Sequence, residues 1–273
     1  MSLPYTRTLA ELAGEICLES YSPADTKPGY SMVFVHGNFC GSWCFKYLMD
    51  HFARQGIPCH GVNLRGHWLS GNHAGLGTFT PSDYVQDVLS CLDFIGGDVV
   101  LLGHSMGGVI GQKVAEQKQL AGLVLLDSAP CKEITVNYFR PDPAVNELLA
   151  ELMVVHPDGT ISLHKDPEKI TQLFFEAGQV SNETLRQTVA FLGRESARVL
   201  KEHALMAVDA DKVQCPVAVI GRSGHGNEKN PDLWHAIADY YNAENRFISK
   251  GMGHGMFLQG NWREFADKIQ SWF

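Results

Sequence analysis

The chain has 273 residues, of which 45% are hydrophobic, and it carries a formal net charge of −8. That length builds one well-buried core with a lid over it and is too short for two full catalytic domains. The acidic balance, with no cluster of Lys and Arg, excludes a nucleic-acid face or an anionic membrane surface and leaves a small molecule as the expected partner.

The opening 30 or so residues are expected to form edge strands. They begin MSLPYTRTLAELAG, which lacks the basic start and apolar stretch of a signal peptide. No apolar run approaches the ~20 residues that span a bilayer, so a cytoplasmic protein is expected. Five short apolar runs then read as buried strands: Met32–Val35, Pro58–Leu64, Asp98–Leu102, Leu120–Leu126 and Pro216–Ile220. They are apolar nearly throughout, as parallel strands covered on both faces tend to be. Arg246–Ser249 is a weaker strand. Amphipathic stretches alternate with them at Ser42–Gln55, Pro81–Ile95, Met106–Gln119, Pro231–Asn242 and Trp262–Phe273. This alternation predicts an α/β fold with a doubly wound, mostly parallel sheet.

The rhythm stops between about Cys131 and Val208. Helical patterns run through Ala144–Val154, Pro167–Ala177, Glu183–Leu192 and Glu195–Ala207, with a short β-like turn within Met153–Leu163. The expected organisation is therefore a core of residues 1–130 and 209–273 with an inserted helical cap, 131–208.

Three motifs carry chemistry. Gly103-His104-Ser105-Met106-Gly107-Gly108 follows the apolar strand DVVLL and opens a helical run. G-x-S-x-G in that setting is a nucleophile elbow: the small residues permit a turn tight enough to expose the Ser105 hydroxyl. The Met106 N–H then sits at a helix N-terminus, where partial positive charge favours an oxyanion. Upstream, His36-Gly37-Asn38-Phe39 directly follows the strand MVFV and offers a second oxyanion donor, the Asn38 N–H, with His36 itself structural. Near the end, Gly251-Met252-Gly253-His254-Gly255 places a histidine in a Gly-rich loop between the last strand and the last helix, where a base for Ser105 belongs.

Taken in order, HGN, NLRGHWLSG, GHSMGG, LVLLDSAP and GMGHGMF resemble the α/β-hydrolase superfamily over nearly the whole chain outside the cap. The stretch HGNFCGSWCF looks like its small-ester and hydroxynitrile-lyase branch. The resemblance implies a catalytic Ser105, His254 and an acid. Many members carry that acid after the strand equivalent to PVAVIG. Here the loop reads Arg222-Ser223-Gly224-His225-Gly226-Asn227, and no carboxylate stands at the expected place. Two replacements remain open, Asp127 at the end of LAGLVLL and Glu228 further along the loop. Asp127 is favoured because a rigid strand end orients a histidine better than a loop does. Arg65-Gly66-His67 matches the family's strand-turn motif and reads as structural, with Trp68 and His73 as further pocket candidates.

The expected activity is hydrolysis of a carboxylic ester, or a related thioester or lactone, through an acyl-enzyme on Ser105. Neither a metal nor an organic cofactor is implied, since His36, His67 and His73 lack helical ligand spacing. A cofactor-free lyase or C–C bond hydrolase would use the same Ser and His differently, and a small-molecule receptor could keep the pocket without turnover. The seven cysteines are odd in number and form no CxxC pair, so reduced thiols are expected. Cys40 stands out for its place beside the oxyanion loop.

Overall fold

A computed structural model describes residues 3–13, 15–27, 29–138, 143–223 and 232–273. In chain order the core opens with the antiparallel strands β1 (Tyr5–Leu12) and β2 (Ile16–Pro23), then β3 (Tyr30–Val35). A 3-10 turn over Ser42–Phe45 leads into α1 (Lys46–Arg54), followed by β4 (Cys59–Asn63), α2 (Pro81–Ile95), β5 (Asp98–His104), α3 (Met106–Gln117) and β6 (Gly122–Leu126).

The segment after β6 contains α4 (Lys132–Tyr138), α5 (Pro143–Leu152), β7 (Met153–Val155), β8 (Thr160–Leu163), α6 (Pro167–Phe174), α7 (Asn182–Phe191), β9 (Arg194–Ser196) and α8 (Ala197–Glu202). The core resumes with β10 (Val217–Ser223), α9 (Leu233–Tyr240), β11 (Asn245–Lys250) and α10 (Arg263–Trp272).

The eight-stranded sheet runs in the order β1-β2-β4-β3-β5-β6-β10-β11 and is parallel from β4 onward. Its apolar strands divide their side chains between two faces with period two, as pleated strands must. Phe34, Leu102, Leu126 and Ile220 face the layer of α1 and α10, where Phe52 and Phe265 are fully buried. Val35, Leu101, Leu125 and Val219 face α2, α3 and α9, where Val88, Ile110 and Ile237 are fully buried. The helix starts follow local chemistry. Thr80 and Asp83 form a reciprocal capping box on α2, with Pro81 at its first position.

The segment between β6 and β10 departs from an all-helical reading. The chain through Met153–Leu163 is a true hairpin, and β9 completes a separate antiparallel sheet in the order β7-β8-β9. Among the described residues, no strand of this segment joins the main sheet. The stretch read as a helix from Glu195 begins instead as strand β9, because the Glu195 carboxylate is drawn into the core. It is fully buried, accepts from Tyr84 Oη at 2.7 Å and from the Ser196 N–H at 2.8 Å, and lies 3.2 Å from His67 Nε2. No helix among the described residues is long and apolar enough to cross a membrane.

Candidate active site

Ser105 stands between β5 and α3 with φ 53° and ψ −122°, a conformation that L-residues rarely adopt and that costs on the order of 1–3 kcal/mol. The surroundings hold it there. Its N–H donates to the Leu126 carbonyl at 3.3 Å, and its own carbonyl accepts from Gly108 N at 2.9 Å and Ala129 N at 2.8 Å. The flanking glycines are needed for close approach: a Cβ on Gly103 would stand 2.3 Å from the Gly107 carbonyl oxygen, and one on Gly107 only 2.2 Å from that of Val35. The elbow is therefore wedged against the end of β3, which leads into the His36–Phe39 turn.

That turn is also held from below. His36 is fully buried; its Nδ1–H donates to the Gly37 carbonyl at 2.8 Å, and its Nε2 accepts from Leu64 N at 3.3 Å. Burial, with His67 nearby, pushes its pKa down to about 3, so it is a neutral structural ring. Asn38 reaches the cavity wall, whereas the Met106 side chain is buried and the residue contributes the first amide of α3. The first amides of a helix have no acceptor within it.

Asp127 also has a positive φ, 42°, directly after β6. Its N–H donates to the Ile220 carbonyl of β10 at 2.7 Å, which fixes the strand end. Its carboxylate is buried and accepts from both the His254 Nδ1–H and Arg222 Nε, the latter at 2.7 Å. Burial alone would raise the carboxyl, but the Arg222 charge and the bond to His254 outweigh it and hold it well below the ordinary carboxylate range. Of the two candidate acids, Asp127 is thus in contact with His254. Gly224, His225 and Glu228 lie outside the described residues.

The histidine loop is tied down on both sides. His104 Nε2–H donates to the His254 carbonyl at 2.9 Å, and the two rings lie 4.5 Å apart. Gln259 Oε1 accepts from Gly253 N at 2.6 Å, and Gly255 N donates to the Phe174 carbonyl of α6 at 2.6 Å. His104, Asp127 and His254 offer ligand atoms within 4.8 Å of one another. This donor set does not suit a metal ion. The carboxylate already accepts from the Arg222 cation and from His254 Nδ1–H, so the nitrogen that His254 turns to it carries a hydrogen rather than a lone pair.

Ser105, His254, Asp127 and Asn38 all border one cavity of about 820 Å³. Most of its wall is apolar, with Leu148, Leu149, Leu173 and Phe174 from the intervening segment and Trp234 from α9. Cys40 also reaches it. Trp68 and His73 are not among its lining residues, contrary to expectation. Trp68 instead packs on Phe191, with ring centroids 4.7 Å apart, and His73 Nδ1 bonds the Gly66 carbonyl at 3.0 Å. Sequence reasoning missed Arg222, Gln259 and Glu195. Arg222 alone had a usable signal, since it lies two residues past Ile220, whose neighbour in register is Leu126, the residue before Asp127.

A family model described as "Alpha/beta hydrolase family" matches residues 32–268. A carbendazim hydrolyzing esterase from Nocardioides sp. (strain SG-4G) is 35% identical over 106 residues, which is 36% of this chain and 41% of that relative's length. Among solved structures, a putative aryl esterase from Burkholderia cenocepacia superposes with TM-score 0.71 at 17% identity, covering 98% of this chain and 97% of that one. A methylesterase from Arabidopsis superposes with TM-score 0.67 at 18% identity, covering 89% and 98%. With a family model spanning most of its length and these folds superposing on it, the chain belongs to the alpha/beta hydrolase family.

Proposed function

We propose that this protein hydrolyses a carboxylic ester, or a related thioester or lactone, of a small apolar substrate through an acyl-enzyme on Ser105. The observation that carries this reading is the bond from His254 Nδ1 to a buried Asp127 carboxylate, at the edge of the same cavity as the strained Ser105. With Nδ1–H engaged, the remaining ring nitrogen, Nε2, is the base. It takes the Ser105 proton as Oγ attacks the carbonyl carbon. The Asn38 and Met106 N–H groups hold the tetrahedral oxyanion, each such donor being worth roughly 3 kcal/mol. His254 then gives its proton to the leaving alcohol. Water, activated by the same nitrogen, releases the acid.

Residues 1–130 and 209–273 act as the catalytic core, and 131–208 as a cap that sets substrate preference through the apolar wall it lends the cavity. The cysteines are all free and buried, which fits a reducing, cytoplasmic setting. No cofactor or nucleic acid enters the reaction.

The test is labelling with a fluorophosphonate alongside turnover of nitrophenyl butyrate. Wild type should label and turn over, and Ser105→Ala should do neither. A wild-type protein that neither labels nor turns over any short ester would leave the cavity as a receptor, and equal labelling of Ser105→Ala would place the nucleophile elsewhere.

A further inference from the structure

The intervening segment lines the cavity with side chains that are apolar apart from Gln172 and His203, and among the described residues it contributes only one titratable group there, His203. His203 follows α8, in the 3-10 turn His203–Leu205, with Leu200 and Ala204 beside it on the same wall. Its Nδ1 lies 2.9 Å from the Val199 carbonyl. A carbonyl oxygen only accepts, so Nδ1 carries the hydrogen and Nε2 carries the lone pair. No hydrogen bond joins Nε2 to any described residue, and the ring belongs to the cavity wall. Burial lowers the pKa of this imidazole below the ordinary histidine value, although Val199 and Glu195 pull the other way. The ring is therefore neutral near pH 7, and its open nitrogen is an acceptor. Asn38, which also borders the cavity, has a buried Oδ1 with no partner among the described residues.

We propose that His203 is a specificity-determining residue, whose Nε2 accepts a hydrogen bond from an O–H or N–H on the preferred substrate, so that the cavity selects apolar esters carrying one donor group. This rests on the hydrolase reading above. The physical reason is asymmetry: an apolar wall barely discriminates, whereas a recessed acceptor left without a donor penalises the analogue that lacks one. A substrate without the donor would also displace whatever water serves Nε2 and replace it with nothing.

The experiment compares matched pairs that differ only by methylation of the donor: nitrophenyl esters of a hydroxy fatty acid and its methoxy analogue, and hydroxybenzyl against methoxybenzyl butyrate. The two pairs place the donor on the acyl and the alcohol side in turn. In wild type, kcat/KM should favour the hydroxyl member of at least one pair by about three- to tenfold, expressed mainly in KM. His203→Phe should bring that ratio to about one. His203→Gln, which keeps an acceptor, should retain part of it, a rescue that a merely structural role would not give. A wild type indifferent in both pairs, or a ratio unchanged in His203→Phe, overturns the assignment while leaving the esterase standing. If no ester is turned over at all, the hydrolase reading fails, and calorimetric titration with hydroxybenzyl and methoxybenzyl alcohol decides the role of His203 alone. Tighter binding of the hydroxyl member, lost in His203→Phe, sustains it, and equal Kd values in wild type refute it.

Discussion

Replacing Asp127 by Asn separates the orienting role of this carboxylate from its place in the fold. The substitution keeps the shape of the side chain and removes a charge that two neighbours share. On the catalytic side, an amide can offer His254 Nδ1 either an oxygen or an N–H. Arg222 Nε and His254 Nδ1 both donate to the same oxygen, Asp127 Oδ2, so an amide oxygen placed there keeps both bonds and only the charge is lost. A neutral amide no longer stabilises the imidazolium that forms when His254 takes the Ser105 proton. Loss of the triad aspartate costs about 10⁴-fold in kcat. On the stability side, the side chain of Arg222 is only 14% exposed and would lose the Asp127 carboxylate. Breaking a buried pair from one side costs about 3–5 kcal/mol.

The pH dependence follows from the same contact. The folded-state pKa of Asp127 lies below its unfolded value, so its stabilisation is present above the unfolded pKa, near 4, and is lost as pH falls through the folded one. Wild type and Asp127→Asn should therefore differ in Tm across neutral pH and converge only in strong acid. Steady-state turnover of nitrophenyl butyrate, with thermal unfolding monitored in parallel, reads both effects. A variant that retains more than a tenth of wild-type kcat, with an unchanged fold, would refute the assignment of Asp127 and return the role to a carboxylate such as Glu228.

Other perturbations test other parts of the same architecture. Glu195→Gln should cost about 3 kcal/mol in chemical unfolding, since it removes the anion from the fully buried His67. Burial alone would lower His67, but Glu195 outweighs it and raises the folded pKa, and the reverse balance lowers that of Glu195. The deficit should then be greatest between roughly pH 5 and 6.5 and shrink as pH rises through the raised His67 pKa, and a deficit growing with pH would contradict the ion pair. Gly107→Ala would put a Cβ 2.2 Å from the Val35 carbonyl and 2.5 Å from that of His36, both backbone atoms, so a loss of about 3 kcal/mol or more is expected. An unchanged denaturation midpoint would mean the elbow is looser than drawn. Gln259→Leu leaves the Gly253 amide without its acceptor and should lower kcat about tenfold through a slackened His254 loop, with KM little changed. An effect confined to KM would locate its influence in the cavity wall instead.

The contrast between what was legible in the sequence and what was not follows the range of the interactions. The strands around Phe34, Leu102 and Leu126 are buried on both faces, so their apolar runs stand out locally, and the Gly-Ser-Gly turn announces itself because only small residues fit there. Glu195 gave no such sign. Its neighbours have a helical pattern, and the reason it enters a strand is a histidine and a tyrosine more than a hundred residues earlier in the chain. Trp68 and His73, open candidates for the cavity, show the same dependence: a loop's side chains are settled by what they meet, Phe191 from α7 for Trp68 and the Gly66 carbonyl for His73. Arg222 is the intermediate case and explains how the acid can sit after β6. β10 pairs in register with β6 up to Ile220 against Leu126, so Arg222, two residues past Ile220, emerges at the same sheet end as Asp127, one past Leu126. A carboxylate there is anchored by backbone to Ile220 and by charge to Arg222 before His254 is considered. A loop acid would have to order several residues to reach the same ring, at an entropic cost of about 1–2 kcal/mol for each. The strand-end aspartate is already in place, and its cationic neighbour keeps it ionised where burial alone would favour the neutral acid.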